Sequence, residues 1–215
     1  NSYNDGNWHF VVVTRDGDTA KMYVDGVEVG IETDSAVGTI DPPTSAFIGV
    51  AEFDAGKVQY FDGAIDEVRI YNRALSQEEI NKIMSDSQDP GVQDYMSFWR
   101  LDEGSGTTAY DEAGNFDGAL QSDWVSGKYG NALNFDGIKG YVDVEDVGSW
   151  ENAFTIAAWI KSTATSRGII FSHSYNEIYA RHIQVALEAS GQITFLLRGA
   201  EPSINAPKFL ITSTN

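Results

Sequence analysis

Apolar residues on both parities mark the stretch around which the chain is organised, Trp8 to Thr14 (WHFVVVT). Trp8, Phe10 and Val12 point one way, and Val11 and Val13 the other. A strand apolar on both faces belongs inside a sheet covered on both sides. A turn signal, Arg15-Asp16-Gly17-Asp18, leads to a second strand, Ala20 to Val24. Asp25-Gly26, a type I′ pair, then reverses the chain into a third, Val27 to Ile31. The pattern predicts a three-stranded antiparallel meander.

Glu32 to Ser45 reads as a loop, Ala46 to Val50 as a short buried strand, and Tyr60 to Tyr71 as a longer one with Ile65, Val68 and Ile70 apolar. Ser76 and Glu79 have capping-box spacing, and Ile80, Ile83 and Met84 supply an apolar face, so one short helix is expected over 77–84. Ser85 to Asp94 is polar, holds a Pro-Gly and reads as a linker. Further strands are expected at Tyr95 to Leu101, Phe154 to Lys161, Gly168 to Ser172, Ile183 to Leu187 and Ile193 to Arg198. The fold class is all-β, an antiparallel sandwich with a single helix.

The W-H-F-V-V-V-T strand, the D-G turn and the K-M-Y-V-D-G-V-E-V hairpin resemble the laminin-G-like jelly roll of the concanavalin A-like superfamily. F-D-G-A-I-D-E-V-R-I-Y-N-R-A-L-S resembles that family's closing strand and terminal helix. After the linker, D-E-G-S-G-T (102–107), YDEAGNFDGAL (110–120), GKYGNALNFDGIKGY (127–141) and FTIAAWIK (154–161) resemble its opening half. Residues 1–85 therefore resemble the second half of such a domain, 86–94 a linker, and 95–215 the first half. The final LITSTN, joined to the initial NSYNDGNWHF, reads as one uninterrupted segment, so the chain is expected to begin in mid-protein. Either the halves close on each other, as in a circular permutant, or adjacent copies in a tandem array complete them. The array needs only a cut inside one loop. Neither half alone could bury a sandwich core.

Charge narrows the partners. With 14 Lys+Arg against 32 Asp+Glu, the 215-residue chain carries a net charge of −18. Such a surface repels phosphate backbones and anionic lipids, which excludes nucleic acid. The absence of Cys excludes disulfides and thiolate chemistry. No run approaches the ~18 apolar residues of a membrane span, so membrane insertion is not expected, and the first residues do not read as a signal peptide.

Oxygen donors at Asp111, Asn115 and Asp117 surround Gly114 in one tight loop, which suits a hard cation. The resemblance places this opening loop beside the closing strand, adding Asp66 and Asp62, and implies a structural calcium. The plainer alternative is that Asp111 and Asn115 make Asx-turns and Asp66 accepts backbone amides. Asp136-Gly137 reads as a turn. Retaining glycosidases need two carboxylates ~5 Å apart; the superfamily's E-x-D-x-x-E strand has no match, because Ala64 precedes Ile65-Asp66 where a Glu is required. His9, His173 and His182 are dispersed without a nucleophile elbow, which leaves no triad signature. His9 reads as a hydrogen-bonded core or rim residue. Trp8, Trp99 and Trp159 are expected in the core, and Trp124 and Trp150 in exposed loops. The densest mixture of rings and polar groups, SHSYNEIYARH, offers His173, Tyr175, Asn176, Arg181 and His182 as a ligand patch. The resemblance and the order of halves imply a non-catalytic structural or adhesive repeat of an extracellular or cell-surface protein or filament. Its partners would be copies of itself or neighbouring repeats. The other reading is a calcium-stabilised carbohydrate-binding module of a secreted enzyme or adhesin, taking glycans or surface proteins.

Overall fold

The computed structural model describes residues 2–34, 45–53, 56–85, 92, 94–145, 147, 148, 150, 152–174, 182–198 and 209–213. The first meander comprises β1 (Trp8–Asp16), β2 (Thr19–Val24) and β3 (Val27–Thr33). Asp25 and Gly26 both adopt positive φ, 52° and 77°, as a type I′ turn requires. Next come β4 (Ser45–Ile48), the hairpin β5 (Ala51–Phe53) and β6 (Gly56–Val58), β7 (Asp62–Tyr71) and α1 (Gln77–Ser85). The second segment supplies β8 (Ser97–Trp99), β9 (Thr108–Ala109), β10 (Gly118–Leu120), β11 (Asp123–Ser126), β12 (Asn131–Asp136) and β13 (Val142–Glu145). It ends with β14 (Ala153–Lys161), β15 (Gly168–Ser174), β16 (His182–Leu187), β17 (Ile193–Arg198) and β18 (Phe209–Thr212).

Two eight-stranded antiparallel sheets form the sandwich. The first runs β11-β12-β7-β14-β1-β2-β3, with β8 also on β7; the second runs β18-β17-β16-β15-β4-β13-β10-β9. Each sheet takes strands from both segments. In the first, β7 lies between β12 and β14, and β14 between β7 and β1. The β1–β14 ladder pairs nine residues without interruption, Trp8 with Lys161 through Asp16 with Ala153. In the second sheet β4 sits between β15 and β13. Within this chain the two segments thus make one body.

The alternation of β1 is realised as expected. Val11 and Val13 join the inter-sheet core, with Ile156, Ala158, Ile65 and Phe195. Phe10 and Val12 face outward into a second cluster with Tyr71, Trp159, Leu75, Ile80 and Ile83, so the helix covers the outer face of the first sheet. The helix starts where the capping box places it: Glu79 N donates to Ser76 Oγ at 3.3 Å and Ser76 N to Glu79 Oε2 at 2.8 Å. Among the described residues no helix is long and apolar enough to cross a membrane.

Two tryptophans depart from expectation. Trp150 is fully buried, its ring 4.4 Å from that of His173 and stacked on it. Trp124 lies in β11, partly packed on the core, with Nε1 donating to Gly106 O at 3.2 Å. Edge strands this short carry too little alternation to be distinguished from loops by sequence.

Candidate functional site

The loop turning at Gly114 (φ +76°) is organised by Asp111. One carboxylate oxygen accepts the amides of Phe98 (2.8 Å) and Ala113 (3.1 Å), the other those of Asn115 (3.3 Å) and Phe116 (3.2 Å). Asp117 Oδ1 in turn accepts the Asp111 amide at 2.9 Å. Asp66 lies elsewhere, on β7, where Oδ2 accepts the amides of Lys128 (2.8 Å) and Tyr129 (3.1 Å). Asp62 opens β7, exposed and paired with Asp136. Among the described residues no group of three or more His, Asp or Glu is placed to hold a metal ion. The five expected calcium ligands do not fit one site, because the Asp111 oxygens already serve four amides and Asp66 serves a different turn. A melting curve in EDTA is expected to superimpose on one in excess calcium; a rise of several degrees with calcium would show that a cation does hold the loop. Asp136 is a turn residue as read: Oδ1 accepts the amides of Ile138, Lys139 and Gly140.

Asp66 and Glu67 belong to a buried polar group on β7. Glu67 sits in a bulge of β7 against β14, with φ +55°, and forms an ion pair with Arg69, both side chains 1% exposed. The Arg69 guanidinium lies 4.0 Å from the centre of the Phe98 ring. Burial pushes Asp66 up to about 8 and Glu67 up to about 7. Protonated Asp66 remains an acceptor at Oδ2, which is what the Lys128–Tyr129 turn uses.

Of the expected ligand patch, Tyr175, Asn176 and Arg181 lie outside the described residues, and of His182 only the backbone is described, opposite Ser174 and Arg198. His173 is a correction: it is 1% exposed, and neither ring nitrogen has a hydrogen-bond partner. A bulge between Ile169 and Phe171 resets the alternation of β15, so Phe171 and His173 turn inward opposite Val185 and Ile183. Burial drives His173 down to about 3. His9 is a rim residue as read, with Nδ1 2.8 Å from Asp25 and Nε2 3.1 Å from Asp5.

Sequence reasoning missed a groove on the outer face of the first sheet, beside the helix-covered cluster. Its floor is a row of cross-strand neighbours: Trp8 opposite Lys161, Lys161 opposite Ala64, Ala64 opposite Asn134, and Asn134 opposite Asp123. One cavity of about 410 Å³ lies along Trp8, Asp62, Ala64, Ser126, Asn134 and Lys161. A second, of about 260 Å³, shares Asn134 and continues along Gln121, Asp123, Asp136 and Lys139. Half-buried Trp8 closes one end, packed in part on the outer cluster. Small Ala64 leaves the floor open, while Lys161, Asn134, Ser126 and Asp62 are exposed hydrogen-bonding groups. An aromatic wall with convergent donors and acceptors is the composition of a small-molecule binding site. Only strand register unites these residues, which is why no local motif announces them.

Comparison with known proteins is consistent with this architecture. Residues 1–81 match the laminin-G family model described as the concanavalin A-like lectin/glucanases superfamily. A search of curated proteins finds no match. The matched region contributes β1 to β7 and most of α1, and its β1, β4 and β7 pair directly with strands of the second segment. Residues 1–81 are thus similar to laminin-G-like domains of the concanavalin A-like superfamily, and the two antiparallel sheets closed over one core agree with the all-β jelly roll of that similarity.

Proposed function

We propose that this domain is a non-catalytic carbohydrate-binding module of an extracellular or cell-surface protein. The observation that carries the reading is the outer groove, where Trp8 stands over a row of exposed Lys, Asn, Ser and Asp side chains. A sugar offers an apolar ring face for the indole and hydroxyls for the polar row. The two buried carboxyls of β7 have structural partners: Asp66 holds a turn and Glu67 pairs with Arg69. A glycan array probed with the intact chain is expected to give selective binding that Trp8→Ala abolishes. No binding to any glycan would overturn the reading.

A second reading is favoured by the interleaving of strands. Because β7 and β14 alternate between segments in the sheet order, the same ladders would form if segments were exchanged between copies, as an adhesive or filament-forming repeat would require. Neighbouring copies would then be the partners.

A further inference from the structure

The Trp8 end of the groove is built by the first residues of the chain, and one imidazole ties them down. Residues 2–7 form an arm that bridges the two sheets. Tyr3 N donates to Gly191 O at 2.8 Å in the β16–β17 turn, and Gly6 N to Ser162 O at 2.9 Å just past β14. The Asn4 side-chain amide donates to Ala164 O at 2.7 Å. Gly6, Ser162 and Thr163 line the cavity beside Trp8. Asp5 sets the turn that leads into Trp8: Oδ1 accepts the Asn7 backbone amide at 2.8 Å and Oδ2 its side-chain amide at 3.0 Å.

His9 grips this turn from the strand. Its Nε2 lies 3.1 Å from the same Asp5 Oδ1, and its Nδ1 2.8 Å from Asp25 Oδ2 in the β2–β3 turn. Tyr3 meets the ring edge-on at 5.2 Å, and Ile160 is its ladder neighbour on β14, so among the described residues Asp5 and Asp25 are the charged groups that face it. An imidazolium donates from both nitrogens and bonds both carboxylates at once. A neutral ring donates from one only and turns a lone pair toward the other carboxylate. Asp25 is the better anchored partner, because Oδ1 also accepts the Phe10 amide at 2.9 Å and its own amide donates to Phe10 O at 2.9 Å. The Asp5 side chain is 43% exposed and can turn out to water. The neutral ring therefore keeps its proton for Asp25 and repels Asp5.

From this clasp we propose that His9 is a proton switch on the groove: charged, it ties the arm to the β2–β3 turn and fixes Gly6 and Trp8; neutral, it releases Asp5 and loosens that end. Burial works against the cation, but the hydrogen bonds to Asp25 and Asp5 outweigh it and raise His9 above its usual 6.5. The clasp is thus complete below pH 6.5 and is lost as pH rises past the raised value. Weaker ligand binding at high pH rests on the carbohydrate reading; the opening of the arm does not.

Amide hydrogen exchange and NMR on the full chain test the switch without a ligand. Protection of the Gly6 and Asn7 amides, relative to an unstructured chain, is expected to fall about tenfold between pH 5.5 and pH 8.5, the loss expected of one charge-assisted bond. The fall should track the titration of the His9 ring. Asp5→Asn, at an exposed position, should remove the pH dependence and lower the His9 midpoint, since Asn can offer an N–H to the neutral ring. His9→Gln should show low protection at every pH. Protection that is unchanged across the His9 midpoint, or a midpoint at or below 6.5, overturns the proposal. The glycan array, run at pH 5.5 and pH 8.5, reads the coupling to the groove. A signal weaker at pH 8.5 for the parent chain but equal for Asp5→Asn supports it, and an equal signal for the parent overturns it. A blank array removes the carbohydrate reading and not the switch, which the exchange rates decide.

Discussion

Expressed separately, residues 1–94 and 95–215 are each expected to lack cooperative unfolding and to aggregate, and mixing them is expected to restore one cooperative transition. Cutting the chain in the linker would strip β14 from both β7 and β1, opening the nine-residue ladder and the two central strands at once. Sheet edges of this length and hydrophobicity do not persist alone in water. The core is divided in the same way. Val11, Val13, Ile65, Val68 and Ile70 from one segment are buried against Trp99, Phe135, Phe154, Ile156 and Phe195 from the other. Burial of each such side chain contributes roughly 1.5–3 kcal/mol. Losing ten therefore exceeds the 5–15 kcal/mol by which a domain is normally stable. Circular dichroism melts of each piece and of the mixture decide the matter. A separate cooperative melt for either piece would show that it holds a complete core of its own. The same experiment bears on exchange between copies: if segments swap, the intact chain should form dimers or longer species whose fraction rises with concentration, and a strictly monomeric chain at all concentrations removes that reading.

Sequence reading succeeded where local chemistry is decisive. Alternation on both parities placed β1 at the centre of a covered sheet, Asp25-Gly26 set the hairpin, and Ser76 with Glu79 set the start of the helix. It failed where register or a bulge intervenes. Strict alternation from Ile169, which faces the small outer cluster with Ala51 and Ala186, would put His173 outside; the bulge between Ile169 and Phe171 puts it inside. His173 leaves the expected ligand patch through that one extra residue. Trp8, like Trp99 and Trp159, reads as core from its place in a strand motif, yet it is only half-buried. The helix residues Ile80 and Ile83 join Phe10 and Val12 in the outer cluster, against which Trp8 packs only in part, and the extent of that cover is a tertiary fact. Asp111 was legible as a loop organiser. What it organises with became clear only when four amides were found already occupying its oxygens.

Stability is expected to be greatest in mild acid, near pH 4 to 5, and to fall by several kcal/mol as pH rises to 8. Asp66 and Glu67, raised to about 8 and about 7 by burial, hold protons in mild acid that the unfolded chain releases near pH 4, and Glu67 is ionised against Arg69 only as pH rises through 7. Their contribution is present below the unfolded value and is lost as pH rises through 7 and 8. His173 acts in the opposite sense. Its native value of about 3 lies below the unfolded 6.5, so stability drains as pH falls from 6.5 toward 3. Between pH 4.5 and 6.5 two carboxyls gain against one imidazole that loses, a net in favour of acid on the order of 1 kcal/mol per pH unit. Below pH 4 the carboxyl gains are complete and the imidazole loss continues. Asp5 and Glu79, both lowered to about 2 by hydrogen bonds (Asn7's backbone amide is the main donor to Asp5, Arg73 to Glu79), add to the decline there. Two variants separate the contributions. Asp66→Asn keeps an acceptor for the Lys128 and Tyr129 amides, so it should cost under about 1 kcal/mol near neutrality while flattening the alkaline limb; Asp66→Ala should cost about 2–4 kcal/mol by orphaning both amides. His173→Phe keeps a ring on Trp150 without unpaired nitrogens. It should raise stability at pH 7 by about 1–3 kcal/mol and by more at pH 4. Urea denaturation across pH 3–8 measures all of this. A profile that is flat for the parent chain from pH 5 to 8 would mean that Asp66 and Glu67 are ionised in the folded protein, and the buried polar group would then need a charge balance beyond Arg69.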